Sequence, residues 1–223
     1  MGALIARPMT DATPLDTVRS NIASAAKIAG RKADEVTLIA VSKTRSADEI
    51  RPLLEAGHRD FGESRVQEAQ EKWPSLKADY PDVRLHMIGQ LQSNKAEEAA
   101  ALFDVVHSLD RASLLKALAK AGGRPEIFVQ VNIGNEEQKG GAAVDSLSEF
   151  LVSVRKAGLP LRGLMCIPPQ GLEASPFFAL LAELARRNGL AGLSMGMSED
   201  YEAAVRLGAT HVRVGSALFG PRD

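Results

Sequence analysis

The apolar positions of this chain follow two rhythms. Leu15, Val18, Ile22, Ala25 and Ala29 recur at helical spacing behind Thr13-Pro14, where threonine can cap a helix and proline fits its first position. That predicts an opening helix closed by Gly30. From there short aliphatic or β-branched runs alternate with amphipathic stretches, and the runs predict strands over 36–41, 58–61, 84–88, 104–107, 126–133, 161–165, 192–195 and 210–214. The helices between them have their own signals. Ser46-Ala47-Asp48-Glu49 reads as a capping box, Asp110 stands where it can cap the helix of Leu114, Leu115 and Leu118, and Val144, Leu147, Leu151 and Val154 form one stripe. Gly57, Gly158, Gly189 and Gly208 sit where such helices should stop, each shortly before a strand.

Strands alternating with helices imply parallel pairing through right-handed crossovers, in a doubly wound sheet or a closed barrel. Eight repeats of roughly 25 residues favour closure, so the fold expected is α/β, a (β/α)8 TIM barrel with an extra N-terminal helix. A chain of 223 residues suits one such core. Residues 1–12 read as a loose tail and residues 13–223 as a single domain.

Composition narrows the function classes. The hydrophobic fraction of 45% and charged fraction of 25% are those of an ordinary globular protein, and a net charge of −1 gives no field that would draw nucleic acid or an anionic membrane. Any phosphate recognised here must be recognised locally. Cys166 is the only cysteine, which excludes an intrachain disulfide and fits a reduced cytoplasm. No apolar run approaches the roughly 20 residues that span a bilayer.

In a barrel of this kind the working residues stand at the C-terminal ends of the strands. Two groups there carry chemistry. Lys43 follows the apolar run Leu38-Ile39-Ala40-Val41, a setting that would depress an amine toward Schiff-base reactivity; the plain alternative is a lysine reaching solvent or a carboxylate. The second group is Leu193-Ser194-Met195-Gly196-Met197-Ser198 with Val212-Arg213-Val214-Gly215-Ser216. These segments close the last two strands and run into helix starts, where backbone N–H groups and serine hydroxyls make an anion site; the plain alternative is an N-cap at Ser198 and a tight turn at Gly215. Arg213 alternates with Val212 and Val214 and should point into the barrel toward a cofactor's ring nitrogen or an internal carboxylate. The four histidines lack metal-ligand spacing, and Trp73 with Glu68, Glu71 and Lys72 reads as a surface helix.

With these residues in place the sequence resembles the pyridoxal phosphate homeostasis protein family, which has the barrel of alanine racemase's N-terminal part. Five ordered motifs carry the resemblance: Ala40–Thr44, Phe61–Glu68, His86–Lys95, Leu193–Ser198 and Val212–Gly220. One departure is Ser64, where the family usually has asparagine. The resemblance implies that Lys43 holds pyridoxal 5′-phosphate (PLP) as a Schiff base, that Ser198, Gly215 and Ser216 hold its phosphate, that Ser194 or Met195 lines the ring, and that Arg213 faces the pyridine nitrogen.

An arginine at that nitrogen disfavours its protonation and weakens the ring as an electron sink. The reading expected is therefore a cytoplasmic, monomeric PLP-binding protein that buffers the cofactor or passes it to PLP-dependent client enzymes, with no catalytic residue, metal, nucleic acid or membrane. The alternatives are a racemase or decarboxylase using Lys43 with Tyr201 or His86, and a Schiff-base aldolase that never holds PLP.

Overall fold

The computed structural model describes residues 12–221. Eight parallel strands close into a barrel in sequence order: β1 (Thr37–Val41), β2 (Asp60–Glu63), β3 (Arg84–Met87), β4 (Val105–Leu109), β5 (Glu126–Gln130), β6 (Leu161–Met165), β7 (Gly192–Ser194) and β8 (His211–Val214). Around them lie α1 (Pro14–Ile28), the extra helix, then α2 (Ala47–Glu55), α3 (Val66–Asp79), α4 (Ala96–Leu102), α5 (Ala112–Lys120), α6 (Leu147–Lys156), α7 (Ser175–Arg187), α8 (Tyr201–Arg206) and α9 (Ser216–Phe219). The (β/α)8 expectation holds. The expected tail lies, apart from Ala12, outside the described residues.

Closure buries both faces of each strand, which is why Leu38, Ile39 and Ala40 are all apolar. Most of the apolar core lies between strands and helices. Inside the barrel lie a small separate apolar cluster, Val105, Phe128 and Met165, and the buried Ile39, and buried polar side chains fill much of the rest. A Cβ at Gly62 would come within 2.9 Å of Ile39 Cγ2, so glycine there leaves room for the interior layer.

Helix starts follow local chemistry where a side chain reaches its own backbone. Thr13 with Asp16, and Ser46 with Glu49, form reciprocal capping boxes. Asp110 does not cap its helix: α5 begins after Arg111, and the Asp110 carboxylate instead lies 2.6 Å from Arg111 Nη1. Strand ends also moved. The second strand starts at Asp60, because His58 Nε2 turns onto the Asp60 carbonyl oxygen at 2.9 Å. The fifth stops at Gln130, because Asn132 accepts from Glu136 N and bends the chain into a turn.

Candidate functional site

Barrel closure makes β1 and β8 neighbours, with Leu38 opposite Val212 and Ala40 opposite Val214. Lys43 and Gly215-Ser216, 172 positions apart in sequence, therefore emerge side by side on the C-terminal rim. Lys43 is half-buried in the turn that leaves β1. Ser198 joins them from the loop after β7, its hydroxyl accepting from Gly215 N at 3.2 Å. Ser198 is not an N-cap: α8 begins at Tyr201, and the Asp200 carboxylate accepts from Met197 N at 2.6 Å. Gly196 lets this loop pass α8, since its φ is +93° and a Cβ would lie 2.5 Å from Ala204 Cβ.

Arg213 points inward as expected and is almost wholly buried. Its two partners are Ser194 Oγ at 2.7 Å and the Cys166 carbonyl oxygen at 3.0 Å, neither of them the carboxylate that alternation alone allowed. Burial lowers the guanidinium below its ordinary value, but arginine starts so high that it stays charged. The same burial pushes the Cys166 thiol up to about 12, which leaves it unreactive. Ser194 is therefore a partner of Arg213 inside the barrel, whereas Met195, one residue on, packs in the core between strands and helices.

The segment around Lys43 is held by residues that the sequence reading set aside as a surface helix. Trp73 is fully buried, and its indole N–H donates to Glu63 Oε1 at 2.9 Å. Lys72 Nζ donates to the carbonyl oxygens of Ser42 at 2.8 Å and Arg45 at 3.0 Å, bracketing Lys43, and pairs with Glu63 at 2.9 Å and Glu68 at 3.0 Å. Ser42 Oγ donates to Glu63 Oε1 at 2.7 Å, and Glu68 accepts from Thr44 N at 2.5 Å. Thr44 sits at φ +65°, a conformation costly for a β-branched residue, so the clamp holds a strained turn. One signal could have revealed this. Val66, Ala69, Trp73 and Leu76 form the buried stripe of α3, and the Glu68–Lys72 pair lies beside it at i,i+4 spacing.

Neither donor considered for amino-acid chemistry reaches the rim in this arrangement. Tyr201 is buried against α1, its hydroxyl accepting from Asn21 Nδ2 at 2.9 Å, and His86 lies inside the barrel with Nε2 3.0 Å from Asp60 Oδ1. Ser64 backs onto Gly89, whose Cβ would lie 2.3 Å from the Ser64 carbonyl oxygen.

Residues 14–223 match the family model for the alanine racemase N-terminal domain. The chain is 43% identical over 224 residues to the pyridoxal phosphate homeostasis protein of Pseudomonas aeruginosa, covering 96% of each. The chain belongs to the pyridoxal phosphate homeostasis protein family. Its Escherichia coli member is 38% identical over 225 residues, covering 94% of this chain and 95% of the relative. Among solved structures of the family's kind, PipY of Synechococcus elongatus with PLP bound superposes at a TM-score of 0.74 with 38% identity, covering 89% of this chain and all of PipY.

Proposed function

We propose that this chain binds PLP at the C-terminal rim of its barrel, with Lys43 as the amine that bonds the aldehyde carbon, and serves PLP homeostasis rather than amino-acid turnover. The observation that carries this reading is the meeting of Lys43, at the end of β1, with the Ser198, Gly215 and Ser216 loops at the ends of β7 and β8. The residues present fit the group. Two serine hydroxyls and the first N–H groups of α9, which have no intrahelical acceptor, suit a phosphate dianion. A half-buried lysine on the adjoining strand end supplies the amine, and the bond forms with loss of one water and no oxidant. Arg213, Ser194 and the backbone at Met195 would border the ring. PLP bound there supplies an electron-poor ring able to stabilise a carbanion.

This chain's residues favour storage. Arg213 keeps a positive charge where a ring-nitrogen proton would add another, which weakens the electron sink. Tyr201 and His86, the side chains weighed as acid or base, are engaged with Asn21 and Asp60. Delivery to PLP-dependent client enzymes by a cytoplasmic monomer completes the proposal. Among the described residues no helix is long and apolar enough to cross a membrane.

Borohydride reduction of protein incubated with PLP, followed by peptide mass analysis, should place a pyridoxyl group on Lys43. A screen of amino acids should give turnover no faster than free PLP. A label found only on other lysines overturns the site, and steady turnover well above free PLP favours the racemase or decarboxylase reading.

A further inference from the structure

A continuous line of polar groups runs down the inside of the barrel from Arg213. Its Nη1 lies 2.7 Å from Ser194 Oγ, which is 2.9 Å from His107 Nδ1; His107 Nε2 is 3.0 Å from His86 Nδ1, and His86 Nε2 is 3.0 Å from Asp60 Oδ1. Ser194, His107 and His86 are fully buried. Asp60 opens β2, so the line spans the barrel from its C-terminal rim to its floor. There the Asp60 carboxylate is a quarter exposed in a cleft of about 610 Å³ that Arg19, Asp34 and His58 also line.

A guanidinium only donates and an ionised carboxylate only accepts, whereas a hydroxyl and an imidazole can do either, so the two ends favour one direction for an unbroken line. In that direction Arg213 donates to Ser194 Oγ, Ser194 to His107 Nδ1, His107 Nε2 to His86 Nδ1 and His86 Nε2 to the Asp60 carboxylate, every donor pointing from cation to anion. Phe128 stacks flat on His107, with ring centroids 4.6 Å apart. Burial, with the positive charge of Arg213 nearby, holds His107 well below its ordinary value. Burial is the largest influence on Asp60 and acts to raise it, but the hydrogen bond from His86 and the smaller effects of His86, His58 and Arg84 together leave the carboxyl lowered.

We propose that Asp60 is a positioning residue for Arg213, acting through His86, His107 and Ser194 as the far end of a polarised strut that holds the guanidinium in place beneath the rim. The line does not conduct protons: moving each hydrogen one step would neutralise an arginine to protonate a carboxylate whose ordinary pKa lies roughly nine units lower. Its role is orientation, and chains aligned in one direction strengthen each of their bonds. Asp200 is the carboxylate whose charge directly favours charged Arg213, and it is engaged by Met197 N. His211 lies to the side, 5.9 Å ring to ring from His107.

Two measurements test this, and only the second rests on the PLP reading. In the cofactor-free protein near neutral pH, two-bond nitrogen–proton NMR spectra should show His86 and His107 both as neutral Nε2–H forms; an Nδ1–H or doubly protonated form of either overturns the strut. PLP is then titrated into wild type, Asp60→Asn and Asp60→Leu. Affinity should fall about fivefold in Asp60→Leu, the worth of one hydrogen bond, and by less than about twofold in Asp60→Asn, whose amide oxygen still accepts. Equal affinity in all three overturns the proposal. Should Asp60→Leu fail to fold, Ser194→Ala breaks the line at its other end and carries the same fivefold expectation. If wild type takes up no PLP, the cofactor reading fails by itself, and the histidine forms still decide the strut.

Discussion

The two halves of the rim are built by different means. On the β1 side, Lys43 sits in a turn clamped by charged side chains: Lys72 on the carbonyls of Ser42 and Arg45, Glu68 on Thr44 N, and Glu63 beneath them with Ser42 and Trp73. On the β8 side, Gly215 and Ser216 are shaped by backbone, with one serine hydroxyl from the neighbouring loop. The contrast follows from what each half must do. An amine on a long flexible stem is placed only if the chain that carries it is fixed, whereas an anion cradle needs N–H groups, which the backbone already fixes.

The largest effect that would break this contrast comes from the clamp. Lys72→Met leaves Glu63 buried without its ion partner, and removing one member of a buried pair costs about 3 kcal/mol or more. Denaturant unfolding should show that loss, and PLP uptake should fall with it. A variant as stable as wild type would return α3 to the role of a plain surface helix.

The next effect separates both rim halves from the barrel beneath them. His58 and His211 are held by burial at about 4 and about 3, against an ordinary 6.5. Such a histidine takes up its proton in the unfolded chain first, so stability is whole above about pH 6.5 and declines as pH falls toward the folded values. The slope is about 1.4 kcal/mol per histidine per pH unit. Thermal melts at about pH 7.5 and 5.5 should show a midpoint lower by several degrees at the acid value. A flat profile would mean these rings are already charged in the folded protein.

The smallest effect belongs to the β8 side. Ser198→Ala removes the acceptor of Gly215 N and one hydroxyl of the cradle, so PLP should bind about fivefold more weakly, with unfolding changed by no more than about 1 kcal/mol. A loss as deep as that of Lys72→Met would erase the difference between the two halves.

The same contrast explains what could be read from the sequence. Strand order, the opening helix with its cap at Thr13 and the box at Ser46 were legible because each rests on residues close together in the chain. The place of Gly215-Ser216, between the end of β8 and the start of α9, was legible for the same reason. The clamp was not, because Glu68, Glu71 and Lys72 present a charged face on one helix, and nothing local shows that a buried carboxylate from β2 lies against it. Asp110 failed as a cap because Arg111, its immediate neighbour, takes its carboxylate. Arg213 was rightly aimed inward, but its actual partners come from β7 and from the residue just after β6, and could not be ranked above a carboxylate by alternation alone.

The proposed tether for PLP on this rim is Lys43. Absorbance titrations of wild-type protein and Lys43→Ala with PLP test it most directly. Wild type should develop the band of lysine-bound PLP, shifted to longer wavelength than the free aldehyde, and Lys43→Ala should lack it while keeping a folded circular dichroism spectrum. The same band in Lys43→Ala, at the same affinity, would contradict the claim.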